Sequence, residues 1–250
     1  SIVQVLATST SSNFAGITLS AATVATNADN GDGNLIANNE VIGGYYGITM
    51  RGFSSTNFNS GNKILNNEIS EVYYYGIYCY QQNAPEIVGN TISHRATATA
   101  SAYGMYLYYA DLPVVTNNSI NNAGTYGIYF AYGNYQGGTG TVRALIANNM
   151  IGGNWRATTP YGIYVTTSSR NLDIWHNSVS MNSGNGRALY ILSGSGHDVR
   201  NNSFANFNST TGYAAYVSST AYLLAMDYNN YYAPGSSNFV YVGAAYTPAT

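Results

Sequence analysis

This sequence is short of charge. Asp, Glu, Lys and Arg make up 7% of its 250 residues, where a typical soluble domain carries about 25%. Lys63 is the single lysine, the arginines are scattered, and the net charge is −2. Nucleic acid and anionic lipid both call for a basic stripe, and none is present. The surface must therefore be built from Asn, Ser, Thr, Gly and Tyr. A single cysteine, Cys79, rules out an internal disulfide. It falls on the inward phase of its stretch and has no basic neighbour to activate it, so it reads as a small buried hydrophobe. No apolar run reaches the roughly 18 residues of a membrane-spanning helix, so membrane insertion is not expected. No stretch reads as a signal peptide, and an exported form would have lost its leader.

What is present is a recurring asparagine. It stands at Asn39, Asn67, Asn90, Asn118, Asn149, Asn177, Asn202 and Asn230, in steps of 28, 23, 28, 31, 28, 25 and 28 residues. An apolar or aromatic residue follows two places later each time, from Val41 to Tyr232. Another precedes by three in seven of the eight, from Ile36 to Val199. A fixed period of this length marks a repeat architecture. The residue before each of these is Asn, Gly or His, types that tolerate a left-handed backbone, so it predicts a bend between two short strands. The recurring Asn is expected to hydrogen-bond to its counterparts one coil above and below, as stacked amides do.

Between these marks lies a second signature. It reads YGITM at 46–50, YGIYC at 75–79, YGMYL at 103–107, YGIYF at 126–130 and YGIYV at 161–165, then RALYI at 187–191 and YAAYV at 213–217. Its alternation predicts a half-buried strand. The inward phase is Ile48/Met50, Ile77/Cys79, Met105/Leu107 and so on. The outward residue between them is Thr49, then Tyr78, Tyr106, Tyr129, Tyr164, Tyr190 and Tyr216. The small residue on that face, Gly or Ala, is expected to leave room for a ring to lie flat.

This Asn–Asn pattern followed by a YGIY strand resembles the right-handed parallel β-helix repeats of the pectate-lyase-like superfamily. It is most similar to the Asn- and Tyr-rich, non-enzymatic-looking versions in secreted bacterial surface proteins. The resemblance implies an all-β, right-handed parallel β-helix of about eight to nine coils, each of roughly 23–31 residues. One domain is expected over residues 1–250, with clear repeats over 13–232 and end coils or tails at 1–12 and 233–250. Seven steps give a stack on the order of 35–40 Å tall. Neither end offers a polar cap, which predicts continuation in a longer chain or end-to-end assembly. Longer loops at 51–62, 94–102, 132–141 and 153–160 are expected to cluster on one side.

Function on such a fold sits on outer faces and loops. The tyrosine ladder has two readings: rings that stack on one another and stiffen the sheet, or a flat aromatic platform for sugars or a protein. Asp173 and Asp198 share an outward phase on adjacent coils, as do Trp175 and Arg200, with Arg170 and His197 nearby. The carboxyl pair could do glycoside hydrolysis. The plainer reading is a surface patch in which Arg200 neutralises Asp198 and stacks on Trp175. Glu40 and Glu68, with Glu71 close by, form a second acid pair that a calcium ion or plain solvent would relieve. Asp29 and Asp32, with Asn30 and Asn34, carry oxygen ligands but fail the calcium-loop pattern, and a turn is the better reading. The aspartate strings that the resemblance leads one to expect of polygalacturonases and the alginate epimerases are absent, and His94, His176 and His197 lack metal-ligand spacing. No cofactor is expected. The leading expectation is a secreted structural or adhesive module at a cell surface, meeting copies of itself, other surface proteins or polysaccharide. The alternative is a carbohydrate-binding or polysaccharide-degrading protein.

Overall fold

A computed structural model describes all residues except 6–7, 21–30, 53, 55, 136–141, 183–184, 208–210, 236–238 and 247–250. Its elements are short strands, and the one helical element among the described residues is a 3-10 turn at Thr220–Tyr222. The strands form three sheets of nine, eight and eleven strands. The first sheet holds the strands after each ladder Asn, from Ile2–Gln4 to Asn230–Tyr232. The second holds the strands before it, from Leu35–Ala37 to Leu223–Asp227. The third holds the YGIY strands, from Ala15–Leu19 to Val240–Val242, and closes on an antiparallel strand at Ala245–Tyr246. All other sheet pairings are parallel and link a strand to its counterpart one coil away, as in Ile64 with Ile87 and then Val115. The eight strands of the second sheet make about seven turns of a parallel β-helix.

The repeat residues line the inside. Ile36, Ile64, Ile87, Val115, Ile146, Ile174 and Val199 meet Val41, Ile69, Ile92, Ile120, Ile151, Val179 and Phe204 in one continuous core. Cys79 is fully buried among them, and burial pushes its thiol pKa up, so it is a core residue and not a nucleophile.

The bend is as the sequence predicts. Asn38, Asn66, Gly89, Asn117, Asn148, His176 and Asn201 all have φ between 53° and 71°. The Asn after each bend runs a continuous amide ladder. Asn118 Oδ1 accepts from Asn90 N–H at 2.9 Å and from Asn90 Nδ2 at 3.0 Å. Asn118 Nδ2 donates to Asn149 Oδ1 on the next coil and to Ile87 O on the previous one. The same bonds repeat from Asn39 through Asn202.

Two expectations are corrected. The last ladder residue is Asn229, not Asn230. Asn202 N–H and Nδ2 both donate to Asn229 Oδ1, and Tyr228 takes the left-handed bend at φ 55°. Asn230 instead pairs with Ser203, one place along. The ladder then steps by 27 residues, and Met226 and Tyr231 fall at the flanking apolar positions against the core. The missing apolar residue three places before Asn230 was the signal for this shift.

The second correction concerns the glycines. They do not share the outward face of the tyrosines. The pairing register skips Gly104 and Gly127, joining Tyr103 to Tyr126 and then Met105 to Ile128. Alternation breaks there, and the glycine Hα faces inward. A Cβ on Gly76 would come within 2.5 Å of Gly104 O and would also press on Ile92. Glycine is thus required by close approach of successive coils. The break turns the preceding Tyr outward as well.

Candidate functional site

Because of that break the third sheet carries two tyrosine ladders. The expected one, Tyr78, Tyr106, Tyr129, Tyr164, Tyr190 and Tyr216, has rings 5.1–5.4 Å apart from coil to coil. The second, Tyr46, Tyr75, Tyr103, Tyr126 and Tyr161, has spacings of 4.6–5.5 Å. The ladders meet edge to face, as at Tyr103 and Tyr106 with an interplanar angle of 90°. Tyr78 is only 9% exposed, and the other expected ladder rings are half-buried. Burial and neighbouring phenols push Tyr75, Tyr78, Tyr103, Tyr106 and Tyr126 well above the ordinary phenol range, and Tyr108 up to about 12. All of these stay protonated at neutral pH, so none is a general base there. Thr49, below the ladder, is buried.

At the next coil the second ladder changes chemistry. Arg187 stands opposite Tyr161 and Tyr213 in the register. Its guanidinium lies 4.3 Å from the Tyr190 ring centre and 4.4 Å from that of Tyr216. This is a cation held among ring faces.

Asp173 and Asp198 are register partners, as are Trp175 and Arg200. Each carboxylate, however, is closed by its own arginine. Arg200 Nε donates to Asp198 Oδ1 at 2.7 Å, and Arg143 Nε donates to Asp173 Oδ1 at 2.5 Å. Arg143 also holds Leu172 O and Gly196 O, so it staples three coils. It escaped the sequence reading because it sits 30 residues before its partner. Both aspartates are nearly buried, their side chains 11% and 9% exposed. Desolvation raises the pKa of Asp173, against the opposing pull of Arg143. Arg200 bonds the carboxylate and, among the described residues, no cation sits over Trp175, which corrects the expected stacking. His197 is fully buried behind this patch, and burial with nearby Arg143 lowers its pKa to about 4.

Glu40 and Glu68 are register partners on the first sheet, Glu40 half-buried and Glu68 exposed. Asp32 serves the backbone: its Oδ1 accepts from Ser60 N–H at 2.7 Å. Asp29 lies outside the described residues. Among the described residues no three His, Cys, Asp or Glu side chains gather to hold a metal, and no helix is long and apolar enough to cross a membrane.

One cluster was missed altogether. Glu71, His94, Asn122, Asn154, Trp155 and Arg156 line a cleft of about 450 Å³ at the corner between the first and third sheets. Two of the expected long loops, 94–102 and 153–160, meet there. Arg156 donates to the carbonyls of Arg95, Asn122 and Ala96, locking one loop to the other. Trp155 is fixed by its indole N–H on Ser180 O at 3.0 Å. His94 is 3% exposed, and burial with nearby Arg156 lowers its pKa to about 4, against the opposing pull of neighbouring backbone groups. The residues are far apart in sequence and share no motif, so only the loop positions pointed to it.

Ladders, bends and coil register together define a parallel β-helix solenoid, and the right hand is the one that β-crossovers overwhelmingly adopt. Residues 2–179 match the family described as the right handed beta helix region, and the chain belongs to that family. No curated protein and no solved structure matches the chain.

Proposed function

We propose that this chain is a stiff structural or adhesive module of a secreted or cell-surface protein. The observation that carries this reading is the mutual packing of the two tyrosine ladders. Their rings face one another and form a second, external core on the longest sheet, with Tyr46 and Tyr78, the first rung of each ladder, buried in it. The closure of Asp173 and Asp198 by separate arginines points the same way, since neither carboxylate has a free partner role to play in hydrolysis. The low charge suits close apposition to another surface, either a second copy or a different protein.

The test is a pair of measurements on the full chain. Tyr129→Ser with Tyr164→Ser should lower Tm, and polysaccharides incubated with the unaltered chain should remain intact. Turnover that disappears in Asp198→Asn overturns the reading. So does loss of glycan binding in the tyrosine variant at unchanged Tm. Light scattering across concentration separates self-association from binding to other surfaces.

A second reading rests on the corner cleft, where a carboxylate, two Asn amides, a guanidinium and an indole line one 450 Å³ space. That set suits a saccharide, with the ring on Trp155 and hydroxyls on Glu71 and Asn154. Saccharide binding lost in Glu71→Gln at unchanged Tm supports it; binding unaffected by that change sinks it.

A further inference from the structure

Five of the seven arginines but only three of the ten acids follow residue 140. The chain is therefore acidic in its first half and basic in its second. In that second half Arg143 and Arg200 are closed on aspartates, Arg156 on carbonyls, and Arg187 on rings. Arg170 is different. Among the described residues it has no carboxylate at ion-pair distance, and its guanidinium only approaches the Tyr135 ring, at 5.4 Å.

Arg170 lines a cleft of about 350 Å³ with Thr167, Ser168, Ser169, Ser193, Gly194 and Ser195. Two adjacent coils supply these residues, joined where Arg170 bridges Ser195. Ser169 is occupied: its hydroxyl donates to Thr166 O and accepts from Gly133 N–H. Among the described residues, the hydroxyls of Ser168, Ser193 and Ser195 make no hydrogen bond, nor do the backbone N–H groups of Ser168 and Gly194. Thr167 and Ser168 are consecutive left-handed residues at φ 45° and 55°. Consecutive bends of this kind turn backbone donors toward a concavity that suits an anion. No carboxylate lines the cleft, and the charge of Arg170 disfavours a cation there.

We infer that this cleft binds a tetrahedral oxyanion, a sulfate or phosphate group carried on an ester, through Arg170, the hydroxyls of Ser168, Ser193 and Ser195, and the free backbone donors. The number of donors decides the class of ligand. A carboxylate offers two oxygens in one plane, which the guanidinium fork alone would satisfy. A sulfate or phosphate ester offers three terminal oxygens in three directions, matching donors from two coils. The cleft is larger than a bare anion, leaving room for the group that carries it. Arg200–Asp198 and Arg143–Asp173 are the nearest ion pairs in the sequence and are each neutral as pairs, so they neither repel nor replace the ligand. This inference is independent of the adhesive reading.

The experiment uses inorganic sulfate and inorganic phosphate as probes on the full chain, followed by amide chemical shifts. Saturable shifts at Ser168 and Gly194 are expected, with binding weakened at least tenfold in Arg170→Ala and partly kept in Arg170→Lys. Glucose 6-sulfate and glucose 6-phosphate should bind more tightly than glucuronate, and whichever ester wins names the source. Ser168→Ala, at an exposed position, weakens binding without touching the fold and guards against a misfolded Arg170 variant. Three results overturn the inference: no saturable shift at tens of millimolar probe, equal binding in Arg170→Ala, or glucuronate binding as tightly as the esters.

Discussion

Replacing Asn118 by Ala tests the amide ladder at its middle. The side chain accepts from Asn90 N–H and Asn90 Nδ2 and donates to Ile87 O and Asn149 Oδ1, all at 2.9–3.0 Å. Three of these four partners keep or can recover a bond. Asn149 Oδ1 keeps the Asn118 backbone N–H at 3.1 Å, and Asn90 Nδ2 can turn to Val88 O at 3.3 Å. Ile87 O keeps Thr116 N–H, its donor in the parallel ladder, so only the buried Asn90 N–H is left alone. An orphaned buried backbone group costs roughly 1–3 kcal/mol. The expected loss is therefore about 1–3 kcal/mol, a sizeable part of the roughly 5–15 kcal/mol by which a domain is stable. Asn39 provides the control. Its amide only donates, to Asn67 Oδ1 and Ala37 O, and it is half-buried. Asn39→Ala should cost about 1 kcal/mol or less. Urea unfolding followed by far-UV circular dichroism reads both, with the slope checked for a change in the unfolded state. Equal losses at Asn118 and Asn39, or a loss below about 1 kcal/mol at Asn118, would refute the reasoning.

Four further outcomes are expected. Arg187→Ala should lower stability by about 1–2 kcal/mol, whereas Arg187→Tyr, which restores the ring ladder, should be nearly neutral; thermal unfolding distinguishes them. Gly104→Ala should be strongly destabilising, by about 2 kcal/mol or more, because its methyl would press on Ile120 and Gly127 O. Phenol pKa values raised in the folded state mean that stability is intact below pH 10 and is lost as pH climbs toward 12 and above; phenolate absorbance should show most ladder rings ionising only with unfolding. His94 and His197 work in the other direction, since their folded pKa of about 4 lies below the usual 6.5. Stability should fall by roughly 3 kcal/mol per histidine as pH drops from 6.5 to 4, and His94→Gln should flatten that limb.

The sequence carried the fold because the fold is periodic. The bend at each Asn–Asn, the inward Ile pairs and the amide ladder all follow from spacing alone. The last coil slipped by one residue because two adjacent asparagines, Asn229 and Asn230, both fit the mark, and only the flanking Met226 and Tyr231 decide between them. The glycine position misled for a different reason. Strict alternation places Gly104 beside Tyr106, but the chain turns at glycine, and this turn creates the second tyrosine ladder. The outer chemistry was legible only in part. The pairing of Asp173 with Asp198 follows from register, yet Arg143 reaches Asp173 across a coil boundary. The corner cleft joins loop residues whose sequence distance bears no relation to the period.

The last coils show what the solenoid requires. The family match ends at residue 179, but the register continues through Phe204 to Tyr231 in the first sheet and through Tyr216 to Tyr241 in the third. Up to Gly162, each glycine faces a Val or Ile one coil on, from Val41 to Val179. Beyond it the glycine becomes Ala188 and then Ala214, both fully buried. The facing register positions become Phe204 and Tyr231 in the same two steps. An aromatic side chain branches at Cγ and not at Cβ, so it leaves the space that a methyl on the facing strand needs. The exchange is therefore paired: a larger residue on one coil accompanies a differently branched one on the next. Arg187 replaces a ladder tyrosine in the same stretch and is received by rings on both sides. The motif is lost in these coils while the packing rule behind it holds, and the amide ladder, unchanged to Asn229, keeps the register in which that exchange can occur.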